Sequence, residues 1–331
     1  MGGRGSPGGW GWGWHSSGFG ANMLTLTATT VASPQNVTIH RMTPVGGPVT
    51  IFWGDGSSTV QAVGDTAAEV HAYATAGTYR IKVTPASRIQ QIDIHDPLLS
   101  RVRSSQLRNS PITYFICHHV GNASPNVVSS VDMSAWTPTN WRLYSMPAGT
   151  YTIDSQHMSA WTPANWWLYN MPAGTYTIDS AHMSTWTPTY WYLFSMPAGT
   201  YTIDSQHMSA WTPTTFYLYS NHAASLTFTI TAAHFAGWTT TTMFFANDNS
   251  LLQADVNALL YGMYQAAIVP RTVASGTINV GGTNAAPSGV FQAAAACPVD
   301  AATPGKEVAH ELLNDGCGVG FNTWATVTFT P

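Results

Sequence analysis

Alternation with a period of two dominates the middle of this chain, with none of the 3.6-residue stripe of an amphipathic helix. Over Asn140–Met146 the apolar positions Trp141 and Leu143 recur as Trp166/Leu168, Trp191/Leu193 and Phe216/Leu218, so this parity is expected to face an interior. The reverse parity carries Arg142, Trp167, Tyr192 and Tyr217 in one stripe, and Tyr144, Tyr169, Phe194 and Tyr219 in a second. After the punctuation Met-Pro-Ala-Gly, a second extended run, Thr150–Ser155, turns Tyr151 and Ile153 one way and Thr152 and Asp154 the other. The whole pattern repeats every 25 residues, in copies that open at Met133, Met158, Met183 and Met208. A unit of this length cannot bury its apolar face alone, so the copies must stack on one another. Each copy reads as two short strands joined by a Pro-Gly turn and closed by a Trp-Thr-Pro corner, and the stack reads as two parallel sheets of a β-solenoid.

Stacking places like residues in ladders at about 4.8 Å. Asp154, Asp179 and Asp204 then line up as carboxylates that either face water or share a cation such as calcium, and water without a metal is the reading adopted. His157, His182 and His207 fall at the second corner, where packing or hydrogen bonding is expected, since zinc needs ligands converging from different directions. A strand apolar on both faces is normally covered on both. The outward stripes Arg142/Trp167/Tyr192/Tyr217 and Tyr144/Tyr169/Phe194/Tyr219 are therefore expected to pack against another copy or another element, with sugar stacking as the alternative.

Flanking segments depart from the repeat. Met23–Val83 holds alternating strands such as Leu24-Thr-Leu-Thr, Val37-Thr-Ile-His, Val49–Trp53 and Thr78–Val83. Ile89-Gln-Gln-Ile-Asp-Ile, Ile112-Thr-Tyr-Phe-Ile-Cys and Val127-Val-Ser-Ser-Val-Asp are degenerate units that cap the incoming end. Beyond Ser220 the period widens to 27; Leu226-Thr-Phe-Thr stands in for Tyr-Thr-Ile-Asp, and His234–Trp238 is read as the outgoing cap. A helix follows, with Ser250 and Gln253 as a capping box and Leu252, Val256, Leu259, Leu260 and Met263 as its apolar stripe. A strand at Gly276–Val280, a second helix near Lys306–Leu313 stopped by Gly316, and a last strand at Trp324–Thr330 complete the chain. At the other end, Met1–Gly20 is rich in glycine, and Trp10, Trp12, Trp14 and Phe19 suit an extended arm that docks into a neighbouring subunit.

Of the 331 residues only 8% are charged and the net charge is −4, which leaves no basic footprint for nucleic acid. An apolar content of 44% excludes general disorder. No run of about 18 apolar residues occurs, so no membrane-spanning helix is expected. No basic stretch followed by an apolar one opens the chain, so no secretory signal is expected. Cys117 reads as a buried strand residue, whereas Cys297 and Cys317, 20 residues apart, are either a disulfide or two thiols. None of the Gly-x-Ser-x-Gly, Gly-x-x-x-x-Gly-Lys, Gly-x-Gly-x-x-Gly or His-Glu-x-x-His patterns is present. No catalytic residue and no cofactor is expected. The Asp154 ladder leaves a glycoside-cleaving solenoid, a depolymerase, as a further alternative.

Two resemblances add to this reading. Trp53-Gly54-Asp55-Gly56-Ser57, followed by His71-Ala-Tyr73 and Gly77-Thr78-Tyr79, resembles the PKD-type immunoglobulin-like β-sandwich. That resemblance implies a tight turn at Gly-Asp-Gly, a core tyrosine, and a binding or spacing module without catalysis. The closing succession Leu-x-x-x-Asp-Val-Asn-x-Leu-Leu, Gly-Thr-Ile-x-Val, Asn-Ala-Ala-Pro-Ser and Gly-Phe-x-x-Trp-x-Thr-Val-Thr is similar to the end module of leucine-rich-repeat-like fibre and surface proteins of phages and bacteria. The repeat itself lacks Leu-x-x-Leu-x-Leu-x-x-Asn. The expectation is a mainly β chain in four parts: an assembly arm over 1–22, a PKD-like sandwich over 23–86, a leucine-rich-repeat-like solenoid with caps over 87–246, and a small α/β module over 247–331. Together they imply a structural virion protein of a phage, a tail or head fibre or other surface appendage. It would form a homo-oligomer such as a trimer, alongside other virion proteins, and touch host glycans. A bacterial extracellular filament or adhesin is the alternative.

Overall fold

The computed structural model describes residues 22–221, 225–268, 276–315, 317 and 323–331. The arm residues Trp10, Trp12, Trp14 and Phe19 lie outside the described residues, and so does Gly316. The chain is mainly β, with several sheets and, among the described residues, two α-helices. Neither helix is long and apolar enough to cross a membrane.

Alternating apolar positions form β1 (Leu24–Thr30), β2 (Gln35–Ile39), β3 (Arg41–Pro44), β4 (Val49–Phe52), β5 (Ser58–Gln61), β6 (Glu69–Tyr73) and β7 (Gly77–Thr84). β2 pairs with β6, while β5, β4, β7 and β1 lie side by side in a second antiparallel sheet. Leu24, Leu26, Val37, Ile39, Ile51 and Ile81 fill the space between them. This unit does not end at residue 86. β9 (Leu99–Ser100) adds to its larger sheet beside β1, and β3 leaves it to pair antiparallel with β8 (Ile89–Ile94). Backbone hydrogen bonding thus crosses the expected 86/87 boundary in both directions, because an open sheet edge on either side is satisfied by the other's strand.

β8 belongs to the first of two further sheets, and past β9 the chain alternates between them. β10 (Tyr114–His118), β12 (Asn140–Tyr144), β14 (Asn165–Tyr169), β16 (Tyr190–Phe194) and β18 (Thr215–Tyr219) extend the first of them as parallel neighbours. β11 (Asn126–Ser129), β13 (Gly149–Asp154), β15 (Thr175–Asp179), β17 (Thr200–Asp204) and β19 (Ser225–Thr229) form the second, also parallel. In the first sheet the register equals the repeat, so Trp141 faces Trp166 and Trp166 faces Trp191. In the second, Thr152 faces Thr175 and Thr177 faces Thr200, a separation of 23 residues instead of the 25 of the repeat. Like residues there are offset by two positions, about 6.6 Å along the strand, which keeps inward residues inward but breaks up any ladder of identical side chains.

Between the sheets lie two columns of indoles. Trp141, Trp166, Trp191 and Phe216 stack at 5.7, 5.5 and 4.9 Å between ring centres. Trp161, Trp186 and Trp211 lean against them at 5.8–5.9 Å. All seven are fully buried. The Pro-Ala-Gly turn follows from this packing: a Cβ on Gly174 would stand 2.8 Å from the Tyr151 carbonyl oxygen and 2.9 Å from the Tyr176 hydroxyl, so only glycine fits beneath the ring. Every repeat also holds a short 3₁₀ turn that the alternation did not reveal, at Ser155–Met158, Ser180–Met183 and Ser205–Met208. These turns bring His157, His182 and His207 to the corner.

The expected outgoing cap at residue 238 is not the end of the stack. β20 (Met243–Phe245), β21 (Thr277–Asn279) and β22 (Thr326–Thr328) continue the first sheet in parallel, giving it ten strands from β22 to β3. α1 (Gln253–Ile268) and α2 (Gly305–Asn314) occupy the connections between these last strands. α1 begins at Gln253 and not after Ser250, whose φ of 58° puts it in the left-handed region outside the helix. Leu252 is correspondingly exposed, whereas Val256, Leu259, Leu260 and Met263 are buried. Asp255 Oδ2 accepts the Leu252 amide at 3.3 Å, replacing the expected capping box. α2 is closed by Asp315 at φ 46°, so an aspartate takes the left-handed position assigned to Gly316. Its last strand covers only Thr326–Thr328 of the expected Trp324–Thr330. Cys297 and Cys317 are joined in a disulfide, and Cys117 is buried on β10, where burial pushes its thiol well above the usual range.

Candidate functional site

The outward stripes form one face of the ten-stranded sheet. Tyr144, Tyr169, Phe194 and Tyr219 stack ring on ring at 4.5, 4.2 and 4.4 Å, with planes within 17° of one another. Beside them the Arg142 guanidinium lies 3.7 Å over Trp167, and Trp167, Tyr192 and Tyr217 follow at 4.7 and 4.5 Å. Both columns exist because the first sheet pairs at the repeat length, so identical positions fall side by side at the strand spacing. Phe245 on β20 closes the second column edge-on, 4.8 Å from Tyr217. All eight predicted residues are thus brought together, and all are half-buried. Burial pushes the Tyr192 hydroxyl up to about 12 and raises those of Tyr144, Tyr169, Tyr217 and Tyr219. At neutral pH the face therefore presents uncharged phenols.

Stacking decides what this face offers a partner. Each ring's π-face is covered by the ring on the next strand, so solvent meets ring edges and phenol hydroxyls. A sugar stacks on an open ring face, which the interiors of these columns do not provide. Ring edges are the positive part of the aromatic quadrupole and suit edge-to-face contact with other rings.

One column runs further than the repeat. At its incoming end Tyr144 stacks on His118 at 4.2 Å, His118 on His95 at 4.7 Å, and His95 on His40 at 3.3 Å. Sequence reasoning missed these histidines because they lie in degenerate units, and His40 belongs to the segment between β2 and β3. Burial first, then the neighbouring His95, His119, His40 and Arg142, lowers His118 to about 4. Desolvation and His95 likewise lower His40.

The aspartate ladder does not form. The two-residue offset sets Asp154 beside Thr177 and Asp179 beside Thr202, and Asp204 pairs with Thr229. Each carboxylate instead caps the next 3₁₀ turn, Oδ1 accepting the amides of Gln156, Ala181 and Gln206 at 2.8 Å. Calcium sharing along this line is therefore set aside. The same offset corrects the alignment of the wider unit: Thr231 holds the place of Asp204, since its amide reaches Ser205 Oγ as the Asp204 amide reaches Ser180 Oγ. The counterpart of Tyr201-Thr-Ile-Asp204 is accordingly Phe228-Thr-Ile-Thr231.

The corner histidines bind serine. Ser130, Ser155, Ser180 and Ser205 Oγ lie 3.0–3.2 Å from Nδ1 of His157, His182, His207 and His234. These serines are buried and already hold the amide of an Asp or Thr on the following rung, so each Ser-His pair is a tie between rungs and not an exposed nucleophile with its base.

The Gly-Asp-Gly turn lies elsewhere, between β4 and β5. Asp55 Oδ1 accepts the Ser57 hydroxyl at 2.6 Å and its amide at 2.9 Å, and Oδ2 meets His71 Nε2 at 2.7 Å. Tyr73 is buried and donates to the Trp53 carbonyl at 2.7 Å. Gly54, at φ +91°, runs against the Arg80 backbone where a Cβ would stand 2.8 Å from its carbonyl oxygen. The hydrogen bonds from Ser57, helped by His71, hold Asp55 down to about 2. A carboxylate depressed in the folded state contributes stability above its ordinary value of 3.8, and that contribution fades as pH falls towards 2. An NMR titration of Asp55 is expected to show a midpoint near 2, and Ser57→Ala is expected to return it towards the ordinary carboxylate range; an unmoved midpoint would contradict the assignment of cause.

No protein-family model, curated protein or solved structure matches this chain.

Proposed function

We propose that this protein is a structural, non-enzymatic subunit of a phage fibre or surface appendage, displayed on the virion surface and assembling with copies of itself through the aromatic face. In this reading β1–β7 are a PKD-like β-sandwich that spaces the chain from its attachment, and the strands from β8 onwards are a leucine-rich-repeat-like solenoid. The carrying observation is the pair of unbroken aromatic columns on one face of the long sheet, half-buried within a single chain. A second copy completes their burial, because edge-exposed rings meet other rings edge-to-face and the neutral phenols need no counter-charge. The glycan alternative draws less support, since the ring faces that a sugar would cover are taken by neighbouring rings. A depolymerase draws less still: the repeated carboxylates are caps on backbone amides, not a facing pair. The Cys297–Cys317 disulfide favours a second reading, a bacterial exported filament or adhesin, because disulfides persist outside the reducing cytosol.

Tyr192→Lys/Tyr217→Lys is expected to convert a wild-type oligomer into a monomer in size-exclusion chromatography with light scattering, with an unchanged far-UV spectrum. Thr152→Lys, on the outer face of the second sheet, is expected to leave the oligomer intact. A monomeric wild type would remove the proposal. Electron microscopy of the assembled particles separates the two settings, virion and free filament.

A further inference from the structure

Where the aromatic column turns into histidine, three side chains of metal-ligating type meet. One ligating atom each from Asp93, His95 and His118 lies within 4.8 Å of the other two, and no other group of three or more is so gathered among the described residues. We infer that Asp93, His95 and His118 form a binding site for a divalent transition-metal ion of the zinc class. The donor set decides the class: two imidazoles and one carboxylate suit zinc, whereas calcium and magnesium take oxygen ligands.

The register brings the three together. Asp93 and His95 stand two apart on and just beyond β8, and the parallel pairing of Ile94 with Cys117 puts His118 next to His95. Asp93 Oδ1 is already 2.7 Å from His95 Nδ1. Zinc bonds of about 2.0–2.2 Å set neighbouring ligand atoms roughly 3.3 Å apart, so this close pair needs only open slightly. The rings of His95 and His118 are parallel to within 4° at 4.7 Å and fan towards a shared ion by rotation about χ2, a soft torsion. His40 packs on His95 from the first unit, so a bound ion would fasten the junction at which β3 joins the long sheet.

The test uses the full chain, stripped with a chelator and titrated calorimetrically with zinc chloride near neutral pH. One ion per chain is expected, with His95→Ala, His118→Ala and Asp93→Asn each weakening binding by about 10-fold or more. Cobalt chloride should give a visible d–d absorption that these variants lose. The chain has 12 histidines, so His157→Ala and His182→Ala serve as controls expected to bind as the wild type does. Stoichiometric zinc binding that survives in a His95→Ala/His118→Ala double variant, or its absence from the wild type, would overturn the site. If an alanine variant loses its far-UV spectrum, His118→Gln decides: retained affinity in a folded His118→Gln protein counts against the site, and lost affinity supports it.

Discussion

Trp166→Ala is expected to destabilise the protein by about 3–5 kcal/mol, the range for removing a large aromatic from a closed core. Trp166 is fully buried, with Trp141 at 5.7 Å and Trp191 at 5.5 Å on its two faces and Trp186 leaning on it at 5.9 Å. The cavity cannot close easily, because the flanking indoles are held at the strand spacing by ladders on both sides. Its sequence neighbour Trp167 points to the outer face and is half-buried, so Trp167→Ala is expected to cost the monomer about 1 kcal/mol while weakening assembly. Urea unfolding followed by circular dichroism, which is insensitive to the lost indole emission, measures both. Equal costs for the two substitutions would mean that the assignment of inner and outer parity is wrong.

Asn249→Ala is expected to cost about 3 kcal/mol or more through a different mechanism. Asn249 belongs to a buried column, Asn221, Asn249 and Asn284, that takes over where Met146, Met171 and Met196 end. Its Oδ1 accepts the Asn221 amide at 3.3 Å, its own backbone amide donates to Asn284 Oδ1 at 3.0 Å, and its Nδ2 donates to the carbonyls of Leu218 and Ala246. Alanine would take the side-chain partner from the buried Asn221 amide and from the Leu218 carbonyl, each worth roughly 1–3 kcal/mol when left without a partner, while the Ala246 carbonyl keeps Asn284 Nδ2 at 2.7 Å. Asn249→Asp should do no better, since a carboxylate cannot donate to two carbonyls and its charge is buried. Thermal unfolding of the three proteins checks this, and a loss below about 1 kcal/mol for Asn249→Ala would show that water replaces the side chain.

These two residues mark how far the chain could be read without coordinates. Trp166 lies in a near-perfect repeat, where period and parity together give strand, face and neighbour. Asn249 occurs once in each irregular closing unit, at a spacing of 28 from Asn221 and 35 from Asn284, so no period exposes the column. The sequence around it points instead to a helix cap at Ser250, although the helix begins at Gln253. The histidine column was hidden for a related reason: His40, His95 and His118 come from three dissimilar segments, and their stacking depends on β3 reaching across to β8.

The amino-acid pattern alone determined the repeat length, the two strands of each copy, and the division between an indole interior and an outer aromatic face, because these depend only on alternation and recurrence along one chain. Tertiary structure decided the offset between the two sheets. A 25-residue register on one side and a 23-residue register on the other are properties of how separate strands pair, and a single 25-residue period along the chain cannot carry both. From the offset follow straight ring columns on the first sheet and scattered aspartates on the second, while the pairing of β3 with β8 gathers the histidines where the first unit joins the stack.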